Sequence, residues 1–509
     1  MTEQNGSKLR IHPRVFWTSA GVILLFVVFA LLNLEQIKSV FDAAQASITS
    51  SAGWFFVASV NVYLGFVVYI IFSRHGAIRL GGESAKPEFT MWGWVAMLFS
   101  AGMGIGLVFW SVAEPIYHFS SPPWGGPRTA AAAELAMAVT YFHWGFHAWG
   151  LYALMALGLA YFAYNRGQAL TIRSVFYPLL GDRIHGWVGD LIDILAAVAT
   201  LFGLATSLGL GAQQVNAGLD FLLGISQGPT EQILLIGGIT AMATVSVVLG
   251  LDRGIRRLSQ LNMVIALALL VFVAIAGPSL ALLDALVQNV GVYLTHLPKL
   301  SLWTEAYSRG EWQHGWTVFY WAWWIAWSPF VGIFIARISK GRTIREFLIG
   351  VLVVPTTMTF VWLTVFGNSA LFAALYGDGG IVEAVNANVA TALFVLLETF
   401  PWATLTSALS VVVITLFFVT SSDSASLVID IITAGGHPDP PTVQRVFWAV
   451  TEGVVAAVLL LGGGGGLAAL QTGVIITGLP FAVVLLLVGV SLLKGLTSDK
   501  SQEREAVRA

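Results

Sequence analysis

The chain is a succession of apolar runs joined by short polar connections. A bilayer crossing needs about 20 mostly apolar residues, and twelve runs meet that length: roughly 14–34, 53–73, 90–118, 136–163, 188–222, 230–251, 258–279, 314–337, 346–371, 402–433, 443–463 and 467–494. The run 280–298 is different. It interleaves Asp284, Gln288, Asn289 and His296 with apolar residues, which predicts an amphipathic helix lying at the membrane surface rather than crossing it. The first run follows a short basic stretch, but it is long enough to span and lacks a small-residue cleavage site. It reads as a retained helix rather than a signal peptide. No hydrophilic stretch leaves room for a soluble domain, and the run Gly462 to Gly466 reads as an external turn.

Charge placement supports this count. With the N-terminus in the cytoplasm and the twelve crossings alternating, the 25 Lys and Arg fall on the inner side except Lys38, Arg128, Lys299 and Arg309. The positive-inside rule predicts such a skew, and one crossing more or fewer would reverse every later loop and destroy it. Both termini are therefore expected in the cytoplasm, and the protein in the cell (plasma) membrane. Composition agrees: 57% of residues are hydrophobic and 10% charged, against about 25% charged in soluble domains. The absence of cysteine excludes disulfides and thiolate metal sites. A net charge of −2 singles out no partner, and no nucleic-acid partner is expected.

Three stretches inside the spans could carry chemistry. The segment Tyr320-Trp321-Ala322-Trp323-Trp324-Ile325-Ala326-Trp327 places four tryptophans in seven residues. At about 100° per residue, Tyr320, Trp323, Trp324 and Trp327 share one broad helix face, with Trp321 on its flank. In the fourth span, Trp144, Trp149 and Tyr152 cover an arc of about 140° with Tyr152 in the middle. These rings suit either an interfacial belt or a concave wall. Facing the tryptophan-rich span, they would form an aromatic box. A quaternary ammonium has no N–H to donate, and ring faces attract it through their quadrupole at about 2 kcal/mol when desolvated. His143 and His147 stand four apart like a metal pair, yet no third ligand is evident nearby, and both read as packing residues.

The second stretch is Ala101-Gly102-Met103-Gly104-Ile105-Gly106. Small residues let helices approach closely, but each glycine costs a helix about 1 kcal/mol relative to alanine. Three in five residues favour a broken helix whose freed carbonyls and amides face an ion and a carboxylate. The third is Thr420-Ser421-Ser422-Asp423-Ser424-Ala425-Ser426 in the tenth span. Its hydroxyls either bond back to the preceding turn or serve as hard oxygen ligands for sodium. Asp423 is either functional or a structural hydrogen-bonding group, and Glu114, near the outer end of its span, reads as solvated. An intramembrane enzyme would need a nucleophile–base pair or a metal cluster, and neither is evident. No cofactor is expected beyond a coupling ion.

With these residues assembled, the chain resembles the betaine/choline/carnitine transporter family. The match is carried by Gly102-Met103-Gly104-Ile105-Gly106 with Ala113-Glu114-Pro115, by Trp144, Trp149 and Tyr152, and by Trp321-Ala322-Trp323-Trp324-Ile325-Ala326-Trp327-Ser328-Pro329-Phe330. It runs from about residue 14 to 494. It implies an all-α integral membrane fold of twelve transmembrane helices. Two peripheral helices (14–89) would precede two inverted five-helix repeats of the sodium-symporter type (90–279 and 314–494), with the surface helix and an outer loop (280–313) between them. The tails, 1–13 and 495–509, would lie in the cytoplasm. The resemblance implies a homotrimer of secondary transporters that import a zwitterionic onium compound such as glycine betaine with sodium, by alternating access. It places the cationic headgroup among Trp144, Trp149, Tyr152 and Trp324, with Trp323 and Trp327 as pathway residues and the carboxylate at Gly102 and Gly104. Sodium would be held by the Ala101 and Met103 carbonyls with Phe417, Thr420 and Ser421, and a second ion by Thr200, Thr206 and Asn262. In this family proton-coupled choline carriers have Asp where this chain has Gly106, and sodium-independent exchangers have Arg near the ion site, where Leu261-Asn262-Met263-Val264 carries none. A proton-coupled or sodium-independent choline or carnitine carrier or exchanger is the alternative.

Overall fold

The computed structural model describes residues 9–249, 252–308, 310–377, 380–462 and 467–508. Gly463 to Gly466, most of the predicted external turn, and Arg309 lie outside the described residues. Every long element is helical: α1 (Pro13–Leu32), α2 (Leu34–Phe72), α3 (Met91–Gly102), α4 (Ile105–Ser120), α5 (Ala130–Trp144), α6 (Phe146–Arg166), α7 (Trp187–Leu223), α8 (Pro229–Leu249), α9 (Asp252–Ala276), α10 (Ser279–Leu302), α11 (Thr317–Ile338), α12 (Ile344–Leu363), α13 (Ala403–Thr433), α14 (Thr442–Gly462) and α15 (Leu467–Arg508). In hydrocarbon a backbone must satisfy its own hydrogen bonds, which leaves the helix as the local solution for such runs. Twelve helices among the described residues are long and apolar enough to cross, and α3 with α4, bent by 59° at their junction, makes a thirteenth if taken as one. The twelve crossings expected from the charge skew include that pair and leave out 280–298. The segment forms α10, whose length and hydropathy also meet the criteria for a crossing.

Other boundaries shifted. The second run is a 39-residue helix, far longer than 53–73. The ninth passes through a π-helical turn, Thr364–Asn368, into Ser369–Tyr376. Two short helices, Gly380–Ala387 and Ala392–Glu398, precede α13 where none was expected. The last helix continues through the predicted C-terminal tail.

The span formed by α5 and α6, with α7 and α11, is the most enclosed part of the bundle, and α9 and α10 the least. Large apolar side chains such as Leu25, Phe72, Trp92 and Ile275 face outward, a surface suited to lipid or to a neighbouring protein rather than to water. Inside, small residues set the helix spacing. A Cβ on Gly332 of α11 would sit 2.5 Å from Met155 Cγ of α6, and one on Gly478 of α15 would sit 2.9 Å from the Ala322 carbonyl. Gly350 of α12 is tighter still, since its Cβ would lie 2.2 Å from Trp94 Cη2. Trp94 is buried and held by its N–H to Ser339 Oγ at 3.0 Å. Gly350→Ala is expected to destabilise the fold by about 1–3 kcal/mol, the usual cost of overpacking, read as earlier loss of monodisperse protein on heating in detergent.

Candidate functional site

The broken helix follows from its glycines. Helix α3 ends at Gly102, Met103 is extended (φ −95°, ψ 128°), Gly104 is fully extended (φ −171°, ψ 178°), and α4 starts at Ile105. The last carbonyls of α3 and the first amides of α4 therefore lack helical partners. The N-terminal end of α4 carries partial positive charge. A second interruption was not expected. Gly145 separates α5 from α6 at φ −98°, ψ −137°. A Cβ there would lie 2.5 Å from the Tyr141 carbonyl. The arc drawn for Trp144, Trp149 and Tyr152 assumed one unbroken helix, and so did the spacing of His143 and His147.

All four rings of the anticipated box nevertheless face one cavity of about 690 Å³, within the range of roughly 300–1,000 Å³ typical of small-molecule sites. Trp144, Trp149, Tyr152 and Trp324 line it and are buried at 4–8% exposure. Trp144 and Trp324 meet edge to face at 4.9 Å, Trp149 and Tyr152 at 5.4 Å, and Tyr152 and Trp324 at 6.3 Å. Such T-shaped contacts are the favoured geometry between rings. Trp323 stacks on Trp324 at 4.9 Å and 10°. The N–H groups of Trp323 and Trp327 both donate to the Gly203 carbonyl, at 3.3 and 2.8 Å.

The cavity also takes in Ala101, Gly102, Met103, Gly104 and Gly106 from the break, Trp323 and Trp327 from α11, and Phe417, Thr420 and Ser421 from α13. Thr420 bonds back to Leu416 O at 2.9 Å, which occupies its hydrogen and leaves its oxygen available as a ligand. Thr200, Thr206 and Asn262 do not line this cavity. The Thr200 and Thr206 hydroxyls donate to the Ala196 and Phe202 carbonyls at 2.7 and 3.0 Å. Asp423, left open by the sequence, also lines the cavity and pairs with Arg445 at 2.9 Å. Arg337 lines it too. Among the lining residues Asp423 is the only acid, so a cation among the rings meets π-faces rather than a free carboxylate.

Two expectations are corrected. Glu114 is not solvated but fully buried. His143 does have partners of metal-ligand type, namely Glu114 and His118, rather than His147. Oε1 of Glu114 lies 2.6 Å from His143 Nδ1 and 3.2 Å from His118 Nε2. Oε2 accepts hydrogen bonds from Trp144 Nε1 at 2.7 Å and from the Tyr320 hydroxyl at 2.5 Å. Those four bonds fill roughly the four acceptor sites of a carboxylate, so the cluster is satisfied as a hydrogen-bond hub. His147 lies instead 3.1 Å from Asn61 Oδ1 and 3.2 Å from Ser301 Oγ. An acid inside an apolar span was the available signal for Glu114.

An all-helical bundle with lipid-facing flanks around a ring-walled cavity of small-molecule size is an architecture that membrane transporters use. The profile of the betaine/carnitine/choline family of transporters matches residues 14–501. A glycine betaine/proline/choline transporter of Vibrio parahaemolyticus is 49% identical, the alignment covering 98% of this chain and 93% of the relative. A glycine betaine/proline/choline/ectoine transporter of the same organism is 48% identical over 97% and 89%. A glycine betaine transporter of Acinetobacter baylyi is 44% identical over 97% and 74%. The chain belongs to the betaine/carnitine/choline transporter family.

Proposed function

We propose that the protein imports a zwitterionic onium compound of the glycine betaine type, together with sodium, by alternating access. The observation that carries this reading is the cage of Trp144, Trp149, Tyr152 and Trp324 on one cavity with the helix break. The trimethylammonium headgroup would sit among the rings, and the carboxylate would meet the amides at Gly102 and Gly104. Sodium would take the Ala101 and Met103 carbonyls with Thr420 and Ser421, against Phe417, and Gly106 in place of an acid favours sodium over protons. Trp323 and Trp327 would line the path. The names of the relatives support betaine first, with choline, proline and ectoine as competitors to test.

The shape of the cavity supports an inward-facing state. From the cage it runs towards Arg337 and Arg445, which the charge skew assigns to the cytoplasm. On the other side, Trp110 packs on Trp316 at 5.5 Å and His118 on Trp316 at 4.5 Å, closing the cage from outside. The proposed architecture is two inverted repeats after two peripheral helices, with α10 at the outer surface and both termini in the cytoplasm. The proposed assembly is a homotrimer in the plasma membrane.

The test is uptake of labelled glycine betaine into proteoliposomes with and without an inward sodium gradient. Sodium-driven accumulation is expected, and uptake indifferent to sodium would remove the coupling. Thr420→Ala is expected to raise the sodium concentration for half-maximal uptake by about tenfold or more, since it removes one oxygen ligand and a polar contact to a charged partner is worth about 1.5–3 kcal/mol. An unchanged sodium dependence in that variant would take Thr420 out of the ion site.

A further inference from the structure

Glu114 is fully buried, and its side chain does not line the cavity. It nevertheless stands behind the cage. Trp144, whose N–H it accepts, is one of the four rings. Tyr320, whose hydroxyl it accepts, lies 5.9 Å from the Trp324 ring, 5.7 Å from Trp144 and 6.2 Å from Trp323. His143, on Oε1, offers its own backbone carbonyl to Trp324 Nε1 at 2.9 Å and its Nε2 to Thr317 at 3.0 Å. In the neutral tautomer that donates to Glu114 through Nδ1, the ring accepts from the Thr317 hydroxyl through Nε2. His118 completes the set from one turn further along α4. One carboxylate thus ties α4 to α5 and α11, two of the three helices that carry the cage rings.

We infer that Glu114 is a positioning residue for substrate: it fixes the Trp144 ring directly and the Trp324 ring through Tyr320 and His143. The inference rests on the reading of the cage as the onium site. Its physical basis is that ring faces attract a cation only from the right angle and distance. A buried indole N–H or phenol O–H deprived of its acceptor must turn to find another, and at this depth there is little water to take its place. The carboxylate also rides on α4, which begins directly after the break. A shift of that helix would therefore move the rings together with the amides proposed to hold the substrate carboxylate.

The test compares the full-length protein with Glu114→Gln, Tyr320→Phe and the double variant, purified into nanodiscs. Glycine betaine binding is followed by tryptophan fluorescence at fixed sodium, and sodium binding is measured without betaine. Glu114→Gln is expected to weaken betaine binding by about tenfold or more, since a Trp144 ring that turns to find another acceptor no longer presents its face to the headgroup. Its KM for uptake should rise by the same factor while the maximal rate and sodium binding stay near wild type. A merely structural role would instead lower the amount of active protein and leave KM unchanged. Tyr320→Phe keeps the ring and removes only the hydroxyl, so it should weaken betaine less. The double variant should be no weaker than Glu114→Gln alone, because coupled residues are not additive. Wild-type affinity in Glu114→Gln, or strictly additive losses, would overturn the inference. If Glu114→Gln does not fold, wild-type affinity in Tyr320→Phe overturns it. A wild-type protein that binds no betaine overturns the cage reading and this inference with it. That result is distinct from the case in which the wild type binds and the variants match it.

Discussion

Replacing Trp324 with alanine is expected to lower the affinity for glycine betaine by more than about thirtyfold, with the protein still folded in the membrane. One desolvated cation–π contact is worth about 2 kcal/mol, and each 1.4 kcal/mol is about tenfold in affinity. Trp324 is the ring with most to lose. It stacks on Trp323 at 4.9 Å, meets Trp144 edge to face at 4.9 Å and lies 6.3 Å from Tyr152. Its removal therefore also frees its neighbours, at about 0.5–1.5 kcal/mol for each ring pair. Trp324→Phe keeps a π-face and should recover part of the loss. Initial rates of labelled betaine uptake, normalised to protein in the membrane, check both variants. Wild-type kinetics in the alanine variant would leave the substrate reading without a physical basis.

The second large effect is expected at Gly106. A Cβ there would lie 2.6 Å from Trp323 Cη2 and 3.3 Å from Trp144 Cη2. Trp323 cannot simply swing aside. Its N–H is held by the Gly203 carbonyl, and its ring is packed between Phe319 at 5.4 Å and Trp324 at 4.9 Å. Gly106→Ala must push either α4 or the stacked pair, a displacement that costs about 1–3 kcal/mol. Because the displaced groups are the cage, the expected result is a rise in the betaine KM of about tenfold with a smaller loss of thermal stability. Gly104→Ala makes the contrast: a Cβ at that position meets no protein atom within 4 Å, so it leaves the rings in place, and any loss of affinity there comes from the substrate space or the backbone of the break. Equal kinetics for wild type and Gly106→Ala would show that the space behind Trp323 is not limiting.

These variants also mark where the chain is legible as text. The cage, the break and the Thr420–Ser421 pair were all readable, because an unusual residue in an apolar span has few reasons to be there. Four tryptophans in seven residues, three glycines in five and adjacent hydroxyls each strain the ordinary rules for a lipid-exposed helix. Glu114 was missed because position along a span is a poor guide to burial. It lies towards the helix end, where an acid usually reaches water, yet Trp144, Tyr320 and two histidines enclose it. The break at Gly145 was missed because a single glycine among aromatic residues carries no local signal. Its necessity comes from the Tyr141 carbonyl and from the Phe360 ring, which a Cβ would meet at 2.5 and 3.1 Å.

The sequence by itself determined the all-helical membrane character, the number of long apolar runs apart from 280–298, the family, and the residue types of the cage. Those properties depend on composition and period, which are local, and on the cost of leaving backbone or charge in hydrocarbon. Only the tertiary structure decided that rings from α5, α6 and α11 share one cavity with the break. It also paired Asp423 with Arg445 and made Glu114 the hub behind the cage. Those outcomes depend on which helix faces which, and that is set by small residues such as Gly332 and Gly478, whose partners lie far away in the chain.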